Sequence, residues 1–561
     1  MPTLQFKGKT FVQNHHLAVP FHQLVPQPDK SLTDKVSLND NLILHGDNLT
    51  ALKALLPTYA GKVKCIYIDP PYNTGNEGWV YNDNVKSPLI KEWIGQVVGK
   101  EGEDLVRHDK WLCMMMPRLK LLRELLTPDG LIFISIDNNE IHLLRSLMDE
   151  VFGADNFISM IADVNNPKGR SDDKYIATAH EYVLIYKREQ EPKLYGWEPE
   201  EKVTKRYRKV DKTGLKWREI DLRKTGEGDR REDRPNMFYY FLFNEKTNEL
   251  TPTKDEEVPE GFIQIKPVKD DEIDGRWRWE INTAIKNIDR LYARYMPNKK
   301  VWSVFEKDYL NEDERVTPTS AWTKKDFNSE RGTEQFIELG FKKEDFPKPK
   351  PIGLIKHILE FATSEEDIIL DSFAGSGSTA QAVLEMNEKD RGNRRFILVE
   401  CEDYADSITA ERVRRVIKGV PNAKNELVKK GLGGSFSYFE LGDAIEMESL
   451  LAGKSLPNYS DLARYLFYTA TGEEFKPDAL DESSNYVGKT DQFDVYMYYK
   501  PDLEYLKTTA LTLDTARALR EKAGSRPLLV FAPTKYVEQQ TLDELNITFC
   551  QLPFEIYRLK N

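Results

Sequence analysis

Residues 367–379 read Asp367-Ile-Ile-Leu370-Asp371-Ser372-Phe373-Ala374-Gly375-Ser376-Gly377-Ser-Thr379. The stretch opens as a short apolar strand, passes through a glycine-rich turn, and enters helical texture from Ser378 to about Met386. Ligands of α/β sheets bind where a strand ends and a helix begins. Gly375 and Gly377 allow positive φ and a close backbone approach. A helix N-terminus offers unpaired N–H groups to an anion. The run is not GxGxxG, so the dinucleotide fingerprint is absent. The next apolar strand, Arg395-Phe-Ile-Leu-Val399, ends at Glu400, in place to bind ribose hydroxyls. This pattern suits an adenosyl ligand with an amino-acid tail. Asp371 then orients the ligand's amino group or caps the helix.

The same texture recurs towards the N-terminus. Asn41-Leu-Ile-Leu-His45 is a short strand, followed by a helix through Ala51–Leu56. Val63–Ile68 is an apolar run of strand length that ends at Asp69. Trp111–Leu126 has helical periodicity. Leu131–Ile136 and Tyr182–Tyr186 are further strands. Strands alternating with helices imply a mostly parallel sheet, helices on both faces. Directly after one strand stands Asp69-Pro70-Pro71-Tyr72. Two prolines fix φ and remove two backbone donors, which leaves nearby carbonyls able to face a guest. An aromatic amine is a poor nucleophile because its lone pair is delocalised. A carboxylate and a carbonyl accepting its two N–H bonds favour a more tetrahedral nitrogen. Tyr72 offers a stacking face for a base taken out of a duplex. The two motifs together, each after an apolar strand, point to methyl transfer from S-adenosylmethionine to an amino group, with no metal required.

The chain has 561 residues and a net charge of −12. Its length predicts two to four domains. The acidic balance argues against a surface coated by nucleic acid throughout, but not against a local basic patch. Such a patch is visible: residues 202–224 carry ten Lys/Arg against three acids. Within it, Lys205, Arg206, Arg208, Lys209, Lys216, Trp217 and Arg218 are candidate DNA contacts. Arg276-Trp-Arg-Trp279 is more in keeping with core aromatics. Cys65, Cys113, Cys401 and Cys550 are scattered without CxxC spacing, so neither a disulfide framework nor a zinc site is indicated. No apolar run reaches membrane-span length and no signal peptide opens the chain, which suggests a cytoplasmic protein. The expected organisation is an arm at 1–40, a catalytic half-core at 41–189, an inserted target-recognition domain at 190–345, a cofactor half-core at 346–435 and a small α/β domain at 436–561.

The catalytic motif preceding the cofactor motif resembles the β group of amino-methyltransferases, and more closely the Mod subunits of type III restriction–modification systems. Leu44-His-Gly-Asp47-Asn-Leu49 looks like the family segment in which the Asp contacts the cofactor's adenine. Ile68–Gly75, Asp109–Leu119, His180–Tyr186, Arg234-Pro-Asn236, Gly332-Thr333 and Lys350–Ile355 stand in the family's order. The resemblance implies a Rossmann-like methyltransferase fold and packing of Phe373 at the cofactor. It also implies action on double-stranded DNA by base flipping, a homodimer, and a Res helicase–nuclease partner. Residues 436–561 would serve docking or dimerisation. Asp rather than Ser at position 69 leans towards adenine N6. Cytosine N4 or RNA remains an alternative, as does a recognition scaffold whose methylation depends on a partner. His45, His108 and Met114-Met-Met116 read as structural, and Asn73 and Thr74 as local supports of the catalytic turn.

Overall fold

The structure is a computed structural model that describes residues 3–74, 104–170, 173–199, 201–269, 273–311, 314–445 and 456–552. Gly75 of the extended catalytic motif lies outside the described residues. The chain divides into two compact units, Met1–Gly196 with Pro318–Asn561, and Trp197–Thr317.

In chain order the first unit begins with β1 (His22–Pro26), β2 (Leu42–His45), β3 (Val63–Ile68), β4 (Leu126–Ile136), β5 (Phe157–Asp163) and β6 (Glu181–Lys187). The second unit holds β7 (Lys209–Val210), β8 (Lys216–Asp221), β9 (Tyr240–Asn244), β10 (Glu249–Thr253), β11 (Ile263–Ile265), β12 (Leu291–Met296) and β13 (Val301–Tyr309). The first unit resumes with β14 (Ala321–Trp322), β15 (Ile368–Asp371), β16 (Arg395–Glu400) and β17 (Ser437–Ala444). It closes with β18 (Tyr486–Lys489), β19 (Asp494–Met497), β20 (Leu528–Ala532) and β21 (Ile547–Gln551).

Among the described residues the main sheet has ten strands in the order β1-β17-β2-β16-β15-β3-β4-β6-β5-β14. From β17 to β4 neighbouring strands are parallel. Only β1 and β6 run against the rest. All six residues of β3 are buried, as a central strand covered on both faces requires. The helices Asn48–Tyr59, Asp104–Leu125 and Ile141–Phe152 lie on one core with β3 and β4, in which Trp111 and Met114–Met116 are buried. The expected mostly parallel, doubly wound α/β architecture is therefore present. β18–β21 form a separate four-stranded sheet, with β19, β20 and β21 parallel.

Three boundaries differ from those expected. The arm at 1–40 is not wholly irregular, because β1 pairs with β17 and closes the edge of the sheet beyond β2. The sheet consequently extends past residue 435. The pairing covers an edge that would otherwise expose unpaired backbone groups. The inserted unit is shorter than 190–345. Residues after Thr317 rejoin the first unit, where β14 pairs with β5 and the helix Ser329–Glu338 follows.

The second unit is built from two small antiparallel sheets, β10-β9-β11 and β12-β13-β8-β7. Trp277 is fully buried in its core beside Tyr239 and Phe241, in accordance with the core reading of that aromatic run.

Candidate active site

The parallel sheet places many acids along one edge. Asp69 follows β3, Asp371 ends β15 and Glu400 ends β16, all at carboxyl ends. β6 runs the other way, so its first residue, Glu181, reaches the same edge and pairs with Asp163 at the end of β5. β3 and β15 are neighbours. The two motifs, some 300 residues apart in sequence, are thereby adjacent in space.

Lys350 ties this edge together. Its ammonium donates to Glu181 Oε2 at 2.8 Å and to the Tyr72 hydroxyl at 2.5 Å, and lies 3.3 Å from Asp69 Oδ1. The Tyr72 hydroxyl donates to Glu181 at 3.0 Å, and the Lys350 ammonium lies 5.0 Å from the Tyr72 ring centre. Asp69 Oδ1 is buried, without a well-formed hydrogen bond among the described residues, and faces the Lys350 ammonium at 3.3 Å. Burial pushes the Asp69 carboxyl above its ordinary range, although Lys350 opposes the shift. Burial also acts to raise Glu181, but the Lys350 charge overrides it and holds that carboxyl below its usual value. Burial would lower the ammonium; Asp69 and Glu181 hold it well above its ordinary pKa. Asp163, buried nearby, is pushed up to about 7 by desolvation.

The Asp-Pro-Pro-Tyr turn is held from beneath. The Trp111 indole donates to the Pro71 carbonyl at 2.7 Å. Asn73 takes a left-handed backbone with φ 55° and is fully buried. Its amide donates to Glu140, whose carboxylate also binds His108 Nδ1 at 2.5 Å. Asn73 is therefore held by a distant helix cap rather than by local bonds, and His108 has a partner that the sequence did not reveal.

The glycine-rich loop is equally braced. Asp371 accepts from Phe373 N at 3.0 Å and from the Thr379 hydroxyl at 2.6 Å, and burial pushes its carboxyl up to about 7. Glu400 accepts from Gly375 N at 2.7 Å and from the amides of Cys401 and Glu402. Ala374 N donates to Val399 O across the neighbouring strand. Gly375 and Gly377 have φ of 51° and 81°. A Cβ on them would meet Phe346 and the Thr409 carbonyl, each at 3.1 Å. The missing side chains thus make room for protein as well as permitting the backbone turn. The buried Arg412 donates to the hydroxyls of Ser376 and Ser378 below the loop. Asp47 caps the helix Asn48–Tyr59 and pairs with Arg118 at 2.9 Å, while Asn48 Nδ2 donates to Ser372 O at 2.8 Å. Phe373 is half-buried against the core, and Ser372 Oγ is buried with no hydrogen-bond partner among the described residues. A glycine turn at a helix start, flanked by acids and an unsatisfied hydroxyl, fits an adenosyl amino-acid ligand.

The predicted site residues of the first unit come together on one edge. Lys350, Glu181 and Asp163 were not singled out for chemistry. Two of them stood in quoted segments, and an acid at a strand end was the signal to follow. The predicted DNA contacts lie in the second unit. Lys205, Arg206, Arg208, Lys209 and Lys216 are exposed. Arg218 bonds Asp308 at 2.6 Å, and Lys209 lies over the Trp217 ring while pairing with Glu219. A cleft of about 630 Å³ is lined by Arg206, Arg218, Arg223, Lys224 and Arg278, with Glu219 and Asp221 among them. Among the described residues no cluster could hold a metal, and no helix is long and apolar enough to cross a membrane.

An Asp-Pro-Pro-Tyr turn beside a glycine-rich loop, on this sheet, marks a Rossmann-like, S-adenosylmethionine-dependent methyltransferase. Residues 63–411 match the family described as DNA methylase, and the chain belongs to that family. It is 30% identical over 458 residues to the type III restriction-modification enzyme EcoPI Mod subunit of Escherichia phage P1, covering 76% of this chain and 70% of that one. It is 35% identical over 372 residues to the type II methyltransferase M.KpnI of Klebsiella pneumoniae, covering 66% and 82%. The StyLTI Mod subunit of Salmonella typhimurium is 29% identical, covering 77% of this chain and 65% of that one.

Proposed function

We propose that this DNA methyltransferase modifies adenine N6 in duplex DNA at a specific site, as the modification subunit of a type III restriction–modification system. The observation that supports the target group is Asp69 Oδ1, a buried acceptor that faces the Lys350 ammonium at 3.3 Å but makes no well-formed hydrogen bond among the described residues. Buried acceptors left unpaired are costly, and an incoming N–H relieves that cost. In this reading one N6 hydrogen bonds Asp69 and the other the Pro70 carbonyl. The extruded base stacks on Tyr72, whose hydroxyl is fixed by Glu181 and Lys350. S-adenosylmethionine supplies an electrophilic methyl group on a sulfonium. The N6 proton released as the N–C bond forms passes to Asp69, whose burial makes it a better base than an exposed carboxylate. Asp371, Glu400, Asp47 and the loop Phe373–Gly377 hold the cofactor.

The basic cleft of the second unit supports phosphate contact, the positioning component of DNA recognition. We assign the β18–β21 region to dimerisation or docking of a Res helicase–nuclease, and the enzyme to the prokaryotic cytoplasm. Asp69→Ala tests the core of the reading. It should abolish tritiated methyl transfer while cofactor affinity, measured calorimetrically, changes little; full activity would refute it.

A further inference from the structure

The two most exposed large apolar side chains among the described residues are consecutive. Tyr175 is 86% exposed and Ile176 85%. They lie in the loop that joins β5 to β6. β5 ends at Asp163 and β6 begins at Glu181, so both stems leave the edge that carries Asp69 and Tyr72. The loop is anchored there. The Asn165 side chain bonds Glu181, Asn165 O accepts from Ser329 N at 3.1 Å, and Val164 N donates to Trp322 O at 2.8 Å.

Its two arms are cross-linked. Asn166 N donates to Ala179 O and Arg170 N to Thr178 O, each at 3.1 Å. Gly169, with φ 75°, lies so close to Ala177 that a Cβ would come within 2.5 Å of the Ala177 methyl. Thr178 N donates to Asp173 at 2.6 Å. The apolar pair thus lies between cross-linked arms of the loop. Lys168, Arg170 and Lys174 flank it, and the Lys174 ammonium lies 5.0 Å from the Tyr175 ring centre.

We infer that Tyr175 and Ile176 form a wedge that enters the DNA stack where the target base leaves it, with the flanking cations facing phosphates; this rests on the base-flipping reading above. Removing a base from a duplex opens an apolar gap and loses stacking. An apolar side chain that fills the gap restores part of the loss. A wedge must be apolar, exposed before DNA arrives, stiffly mounted, and near the pocket that receives the base. Tyr175 and Ile176 are apolar and exposed, on a loop whose stems are anchored at the edge that carries Asp69 and Tyr72.

The test uses the full chain and a duplex carrying the site mapped by methylation-sensitive sequencing of wild-type product. The double variant Tyr175→Ser/Ile176→Ser is compared on two substrates, one with the target adenine paired and one with it opposite an abasic position. A base already unpaired needs little help to leave, so kcat/KM should fall roughly 10- to 100-fold on the paired duplex and within about threefold on the abasic one. 2-Aminopurine at the target position should brighten with wild type and stay quenched with the variant. Equal losses on both substrates, or no loss on either, would overturn the wedge. A change in oligomeric mass on substitution would assign the pair to an interface between copies and equally overturn it. Wild type that methylates no duplex would defeat the parent reading, a result distinct from failure of the wedge alone.

Discussion

Gly332 lies in the helix Ser329–Glu338, where alanine would ordinarily be preferred over glycine by about 1 kcal/mol. The structure reverses that preference. A Cβ there would lie 1.9 Å from the Pro349 carbonyl oxygen, 2.9 Å from its carbon and 3.0 Å from the Lys350 carbonyl carbon. A carbon and an oxygen need roughly 3.2 Å, so Gly332→Ala must displace the 349–350 backbone by on the order of 1 Å. Overpacking of this kind costs about 1–3 kcal/mol, partly offset by the better helix residue. The larger effect falls on chemistry, because Lys350 has to meet Asp69, Glu181 and Tyr72 together. A misplacement near 1 Å lowers a positioned reaction about 100-fold, roughly 2.7 kcal/mol of barrier. Tritiated methyl transfer on mapped DNA should show that fall in kcat, with KM for DNA within about threefold, in protein whose thermal melt remains cooperative. Glu330→Ala, exposed on the same helix, is the control. A folded Gly332→Ala enzyme with kcat within about threefold of wild type would refute the reasoning.

Lys350→Met leaves Asp69 and Glu181 without their cation. Breaking such a pair costs about 3–5 kcal/mol. The variant should melt earlier, and the acid limb of its pH–rate profile should move upward because Asp69 then ionises at higher pH; an unmoved limb would contradict the assignment. Asp163 is held near pH 7 by burial, whereas an unfolded aspartate titrates near 4. The folded state therefore retains a proton that the unfolded chain has lost. Stability from this group is full below about pH 4 and drains away as pH rises through 7, a total of about 4 kcal/mol. Asp163→Asn should stabilise the protein more at pH 8 than at pH 5 in thermal melts, and a pH-independent difference would count against it. Arg223→Ala and Lys224→Ala should each weaken DNA binding across sequences and reduce the salt slope by about 1, measured by fluorescence anisotropy; an unchanged slope would remove the cleft from the interface.

The parallel core was legible because its strands are buried on both faces and read as nearly continuous apolar runs. Val63–Ile68 was found as read, and β15 and β16 lie within a residue of their readings. Their carboxyl ends then located Asp69, Asp371 and Glu400. β1 and β17 were not seen. His22–Pro26 is short, mixed in polarity and only part-buried, and its place depends on a partner more than 400 residues away. The same limit hid the Lys350 cluster. Its members come from the segment before a helix, the end of β3 and an antiparallel strand, and only the reversed direction of β6 brings Glu181 to the edge. His108 was read only as structural for a similar reason, since Glu140 precedes the next helix and no local spacing joins them. The basic run of the second unit was visible, but Arg218 was not distinguishable from its exposed neighbours until β13 brought Asp308 beside it.

The central claim is that Asp69 and its turn present adenine N6 to a methyl sulfonium. It is tested most directly by incubating wild type and Asp69→Ala with duplex DNA and isotopically labelled S-adenosylmethionine, then digesting the DNA and identifying the labelled nucleoside by mass spectrometry. The account predicts N6-methyladenine with wild type and none with the variant. N4-methylcytosine as the product, or N6-methyladenine undiminished in Asp69→Ala, would contradict it.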